Sequence, residues 1–291
     1  MIDFNSLIPL ISGAAGGAVS AGVLNGPIKS LNDWWFFHFG YKTDYEREKA
    51  ELLNKSKLDA YKQEIFDDVK SIPASNVQQP QLNIIGPALE ASRYYIDSPE
   101  LRSMFAKLVA SSMDDRKKNV TRSTFVEFVK QMDPIDAKVL AYFSKNALTP
   151  IANIESVTQN DSHGDKYSHI EYSELLTHDA PVSDADRKFL PASVGNLARL
   201  NLISVKYNTT PFGYNSDDIF TDLSEYKNIH NNFQAAHKKY LESQRSIEQS
   251  SLQVSDEYRS NLSLALNQKL QIEHGIVTIT SLGKEFVKIC L

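Results

Sequence analysis

Apolar residues along the first half of this chain recur three and four positions apart, the spacing of one helix face. Leu58, Tyr61, Ile65, Val69 and Ile72 form one such stripe. Thr43-Asp44-Tyr45-Glu46 supplies a capping box that opens the long helix carrying it. The opposite face mixes Lys, Glu and Asp and reads as solvated surface. A linker over 73–83, rich in Gln and Asn and holding Pro73 and Pro80, follows. Closely punctuated helices come next. Gly86-Pro87 predicts a helix start with proline at its first position. Ser98-Pro99 predicts another, with Ser98 as N-cap. Leu101, Met104, Phe105, Leu108 and Val109 make a full core face, and Phe125, Phe128, Val129 and Met132 repeat it. Asp133-Pro134 opens a further helix with Ile135, Val139, Leu140 and Phe143 inward.

The second half has a different grammar. Residues 158–183 are polar and turn-rich and read as loop with short elements. Val194 to Leu202 is an amphipathic helix running into a strand, Leu202 to Tyr207. Leu270-Gln271-Ile272-Glu273 and Ile276 to Thr280 flank His274-Gly275, a two-residue hairpin signal. A last helix carries Leu282, Phe286, Ile289 and Cys290. Helix, strand, hairpin, helix is the order of a winged helix-turn-helix tail. No Gly or Pro lies between Gly213 and Gly275, so most of 224–267 is expected to be helix inserted in the wing.

The fold class is therefore mainly α with a small β component. It divides into a lead over 1–42, a long amphipathic helix and linker over 43–83, and a helical core domain over 84–146. A winged-helix-like domain over 147–291 follows, with a helical insertion at about 208–267.

The lead is unlike the rest. No charged residue occurs from Phe4 to Ile28. Small residues repeat every four positions in two rows, Ala14, Ala18, Gly22, Gly26 and Gly13, Gly17, Ala21. Such rows let helix backbones approach closely, as in lipid-embedded pairs. Trp34 and Trp35 open an aromatic cluster with Phe36, Phe37 and Phe39 that resembles an interfacial belt. The stretch between Pro9 and Pro27 spans only about 26 Å as helix, against a bilayer core of roughly 30 Å. Two readings stand: membrane contact through residues 4–39, or a helical lead packed on protein.

Charge and cysteine usage narrow the class. The formal net charge is −5, which opposes a general nucleic-acid binder. The single cysteine, Cys290, forms no internal disulfide and fits a reducing cytosol. Met1-Ile2-Asp3 lacks the positive start of a secretory signal. The expected place is cytoplasmic, with a possible hold on the inner membrane face.

Candidate chemistry is sparse. No phosphate loop, zinc-protease motif, nucleophile elbow or Cys-x-x-Cys occurs. Asp161, His163, Asp165, His169 and His178 hold metal-capable side chains, but at no recognised ligand spacing. His230 and His237 share a helix face seven apart. Cys290 sits among apolar residues and reads as buried and unreactive. Arg116, Lys117, Lys118 and Arg122 form the one dense basic patch, suited to phosphate or anionic lipid and partly cancelled by Asp114 and Asp115. The helix expected to read DNA, 187–201, carries only Arg187, Lys188 and Arg199.

Several blocks carry a family likeness. Gly86-Pro87-Ala88-Leu89-Glu90 through Arg93-Tyr94-Tyr95, Glu100 to Leu108, and Ala110-Ser111-Ser112-Met113-Asp114 resemble the bacterial abortive-infection alpha family. Phe125-Val126-Glu127, Lys130 to Ala137, Asn196-Leu197 to Leu202-Ile203, and Ile279 to Gly283 with Phe286 continue the resemblance over roughly 85–290. It implies a role in antiphage defence and brings no catalytic residues. Its polar positions Glu90, Arg93, Tyr94, Arg102, Ser111, Ser112 and Asp114 are expected either to tie helices together or to line a partner groove. The expectation is a non-enzymatic defence protein that needs no cofactor and no small-molecule substrate. It would bind a protein partner, itself or a membrane. The alternative is a soluble winged-helix regulator of nucleic acid.

Overall fold

Burial of the apolar stripes decides where the helices form. The computed structural model describes residues 57, 59–160, 165–209, 217–250 and 254–291. The expectations for the lead, the capping box at 43–46, Leu58, Asp161 and His163 lie outside the described residues. The protein is mainly helical with one small antiparallel sheet. Among the described residues no helix is long and apolar enough to cross a membrane. The chain divides into two compact units. Unit 1 holds the described residues through Ala141, together with Leu200–Leu202 and Thr280–Leu291; unit 2 holds Tyr142–Arg199 and Ile203–Ile279.

Unit 1 begins with helix α1 over 59–70, whose stripe Tyr61, Ile65 and Val69 is buried, as is Ile72 just beyond. The linker is tied down rather than loose. A 3-10 turn covers Ala74–Asn76, Val77 bridges Asp114, and Gln78 N–H donates to the Met113 carbonyl at 2.9 Å. Helix α2 is Leu82–Ser92, so it starts five residues before the expected position, and Pro87 lies inside it. An interior proline removes one helix hydrogen bond and costs about 3 kcal/mol. Ile84, Ile85, Ala88 and Ala91 are all buried on this helix, and each isoleucine alone contributes about 1.5–3 kcal/mol. Burial wins over local propensity.

Helix α3 is Pro99–Ser111, with Ser98 as its N-cap accepting from Leu101 N–H. The expected face of Leu101, Met104, Phe105, Leu108 and Val109 is buried. A 3-10 turn, Asp115–Lys117, leads to α4, Thr124–Lys130, and then α5, Pro134–Lys145. Asp133 N–H donates to Asp136 Oδ2 at 3.0 Å and caps the start of α5.

Unit 2 is built on a four-stranded sheet. β1 is Thr149–Asn160 and β2 is Asp165–Leu176. This long hairpin occupies most of the stretch expected to be loop. Its outer half is polar on both faces, with residues 166–170 exposed, so no apolar alternation marks it. Its buried apolar side chains, Ile151, Ala152, Ile154, Leu175 and Leu176, lie at its base. A 3-10 turn, Arg187–Phe189, runs into α6, Leu190–Arg199, and β3 is Ile203–Tyr207. Helices α7 (Asp218–Thr221), α8 (Ser224–Gln249) and α9 (Asp256–Leu266) fill the interval before β4, Gln268–Ile279. The last helix, α10, is Ser281–Cys290 and belongs to unit 1.

The hairpin expected at His274-Gly275 does not form. β4 runs straight through both residues, paired antiparallel with β1 on one side and β3 on the other, in sheet order β2-β1-β4-β3. Gly275 stands opposite both Ile151 and Tyr207. A Cβ there would lie 2.8 Å from the Lys206 carbonyl oxygen and 2.8 Å from the Tyr207 ring. The glycine serves close strand approach, not a turn. Long-range pairing satisfies the backbone on both edges of β4, which a local two-strand turn cannot do.

Candidate functional site

Ser111 at the end of α3 and Asp114 just beyond it meet groups from α1 and α10 at a cleft within unit 1. Its free volume is about 210 Å³, and its polar lining includes Asp68, Lys107, Ser111, Asp114, Lys117 and Lys288, with Arg116 and Ser71 beside them. Lys107 lies half-buried on α3, and its Nζ donates to the Leu291 main-chain oxygen. Ser111, at the end of α3, is buried; its Oγ accepts from Lys117 Nζ at 3.2 Å and donates to the Ile289 carbonyl at 3.4 Å. Ser112 is buried too, but its hydroxyl turns back to the Val109 carbonyl at 2.6 Å and braces the helix end.

Asp114 is a buried organising group. It accepts from Arg116 N–H at 3.1 Å, Arg116 Nε at 2.8 Å and Arg116 Nη2 at 2.7 Å. The Arg116 hydrogen bonds hold its carboxyl below the usual range. This cap sets the turn that aims Lys117 at Ser111. Asp68, half-buried on α1, is pushed upward by burial, against the pull of Lys107 and Lys117. Cys290 is fully buried, and burial raises its thiol well above the ordinary value. It remains protonated at neutral pH.

The basic patch expected from Arg116, Lys117, Lys118 and Arg122 is broken up. Arg116 is held by Asp114 and Arg122 by Glu285, the latter at 2.7 Å. Lys118 is exposed, and of the four Arg116 and Lys117 line the cleft, Arg116 already held by Asp114. The expected set of Glu90, Arg93, Arg102 and Asp114 is not drawn into one cluster. Arg102 pairs with Glu64 of α1 at 2.7 Å and donates to the Ile96 carbonyl at 3.3 Å. Glu90 is exposed on α2, and the Arg93 guanidinium sits 4.1 Å from the centre of the Tyr94 ring, itself 64% exposed.

Asp68, Lys107 and Lys288 escape sequence reasoning. Each is a charged residue off a core stripe, and no spacing joins positions 68, 107 and 288. In unit 2, Arg187 is buried rather than offered to a ligand. Its Nε donates to Glu225 Oε1 at 2.6 Å, and Nη1 reaches the Thr177 carbonyl at 3.3 Å. His230 and His237 stack on Tyr226 and Phe233 of their own helix α8. Among the described residues no group of three or more His, Cys, Asp or Glu is arranged to hold a metal ion.

The family model for abortive infection alpha matches residues 53–290, nearly the whole of the described chain. The chain belongs to the abortive infection alpha family. Membership takes in α1 and its buried stripe as well as α2 to α10, so the helices that line the cleft lie within the family's span. No curated protein and no solved structure matches the chain.

Proposed function

We propose that this member of the abortive infection alpha family acts in antiphage defence by non-covalent binding. The observation that carries the reading is the family match over 53–290. It is supported by the family-like residues Ser111 and Asp114, which meet at one cleft with Asp68, Lys107, Lys117 and Lys288. The groups there are ammonium, hydroxyl and carboxyl, and Cys290 nearby is sealed by burial. Such a site recognises; a signal bound there would be passed to a protein partner, to a second copy or, through residues 4–39, to a membrane.

Phage plating on bacteria expressing the chain tests the reading. Plaque numbers should fall by orders of magnitude against at least one phage of a broad panel. A folded, well-expressed chain that protects against none removes it. Deleting residues 1–28 should abolish protection while unit 1 still melts cooperatively; full protection by the shortened chain would strip the lead of its effector role.

A winged-helix regulator of nucleic acid is the second reading, favoured by the succession α6, β3, β4. Here α6 and the turn before it would present Lys188, since Arg187 is committed to Glu225. Anisotropy with labelled duplex DNA at low salt discriminates: affinity falling steeply with salt supports it, and no binding sinks it.

A further inference from the structure

Most cations of unit 1 that approach one another's helices have a carboxylate partner: Arg102 has Glu64, Arg122 has Glu285 and Lys138 has Glu100. Lys107, Lys117 and Lys288 differ. None of the three makes an ion pair among the described residues, yet all three line the same cleft from α3, the turn after it, and α10. Lys107 is spent on the Leu291 main-chain oxygen and fixes one wall. Lys117 gives one of its three donors to Ser111, and an ammonium has two more. Lys288 is exposed at the rim. Of the carboxylates, Asp114 is neutralised by Arg116, which leaves Asp68 against three ammonium groups.

We infer that this cleft is a receptor for a small phosphate-bearing ligand, held by Lys117 and Lys288. The two donors come from different elements, Lys117 from the turn after α3 and Lys288 from α10. A phosphate group offers three acceptor oxygens and close to two negative charges, whereas a single carboxylate would leave donors unmatched. The volume, about 210 Å³, lies below the roughly 300–1,000 Å³ typical of sites for drug-sized ligands. It admits a phosphate headgroup or a small phosphomonoester and excludes a whole folded motif. The inference goes beyond the defence reading and is measured on purified protein, independently of any effect on phage.

The test is calorimetric titration of the full chain with inorganic diphosphate at low salt, beside flotation with phosphatidylcholine vesicles containing phosphatidic acid. Diphosphate should bind the parent chain. The double variant Lys117→Met/Lys288→Met should bind about tenfold more weakly or worse, equivalent to 1.4 kcal/mol, and Lys118→Met should match the parent. Lys288→Met alone, at an exposed position, guards against misfolding and should show part of the loss with an unchanged thermal melt. Flotation that diphosphate competes away places the phosphate on a lipid; solution binding without flotation places it on a soluble ligand. Equal affinity in parent and double variant, or binding of duplex DNA with no diphosphate signal, overturns the site.

Discussion

Phe286 shows how much can hang on one side chain. It is fully buried on α10, and its ring meets Phe125 edge-on with centroids 5.2 Å apart. Truncation to alanine should cost about 3–5 kcal/mol in urea unfolding. A loss below about 1 kcal/mol would mean that α10 is not seated in the core as described. Gly275 makes the opposite kind of demand. Gly275→Ala drives a methyl carbon against the Lys206 carbonyl and the Tyr207 ring, and overpacking of this kind costs about 1–3 kcal/mol. Hydrogen exchange should then quicken first in β3, whose amides depend on β4 for partners. Unchanged exchange there would refute the close-approach account. In sequence, Gly275 reads as a turn residue because glycine serves turns and tight strand contacts equally well. Only the flanking partners, more than a hundred residues away at Ile151, separate the two uses.

At the scale of elements, α8 depends on one buried pair. Arg187 and Glu225 are 4% and 13% exposed at 2.6 Å, and they join the turn after β2 to the start of α8. Glu225→Gln leaves a buried guanidinium uncompensated, so unit 2 should lose about 3–5 kcal/mol at neutral pH. Burial works to raise the Glu225 pKa, but a backbone N–H, Arg187 and Ser224 together pull it below its ordinary value. A depressed folded-state pKa gives stability that is present above the unfolded value, near 4.3, and lost as pH falls through the folded one. The parent should therefore destabilise on acidification below about pH 4.3, and Glu225→Gln should show a shallower acid slope. Identical slopes would contradict the assignment. The helices of unit 1 were legible from three-and-four spacing because each buries one face: the stripes of α1, α3 and α5 lie where their residues place them. β1 and β2 were not legible. Tyr167, His169 and Ile170 are all exposed at the outer end, so that part of the hairpin is held by its ladder and not by an apolar face. The cleft was legible only at its α3 edge, through Ser111, Asp114 and Lys117. Its other walls come from positions 68 and 288, and only the packed helices bring them to the same place.

Taken as a whole molecule, unit 1 is interrupted. Its helices through Ala141 are completed by Leu200–Leu202 and by α10, with all of unit 2 between. Removing residues 281–291 should therefore abolish the cooperative melt of unit 1, and with it any diphosphate binding, even though α1 to α4 are intact. A truncated chain that still melts cooperatively with parent affinity would show that α10 is dispensable. The same interruption sets a timetable for synthesis. Chains emerge at about 5–20 residues per second, so the early helices wait roughly ten seconds for α10 after Ala141 has been made. During that interval Phe125 lacks the ring it packs against and Lys117 lacks the wall that carries Lys288. The cleft is thus among the last features to appear on the nascent chain, and a fragment released early lacks the wall that carries Lys288.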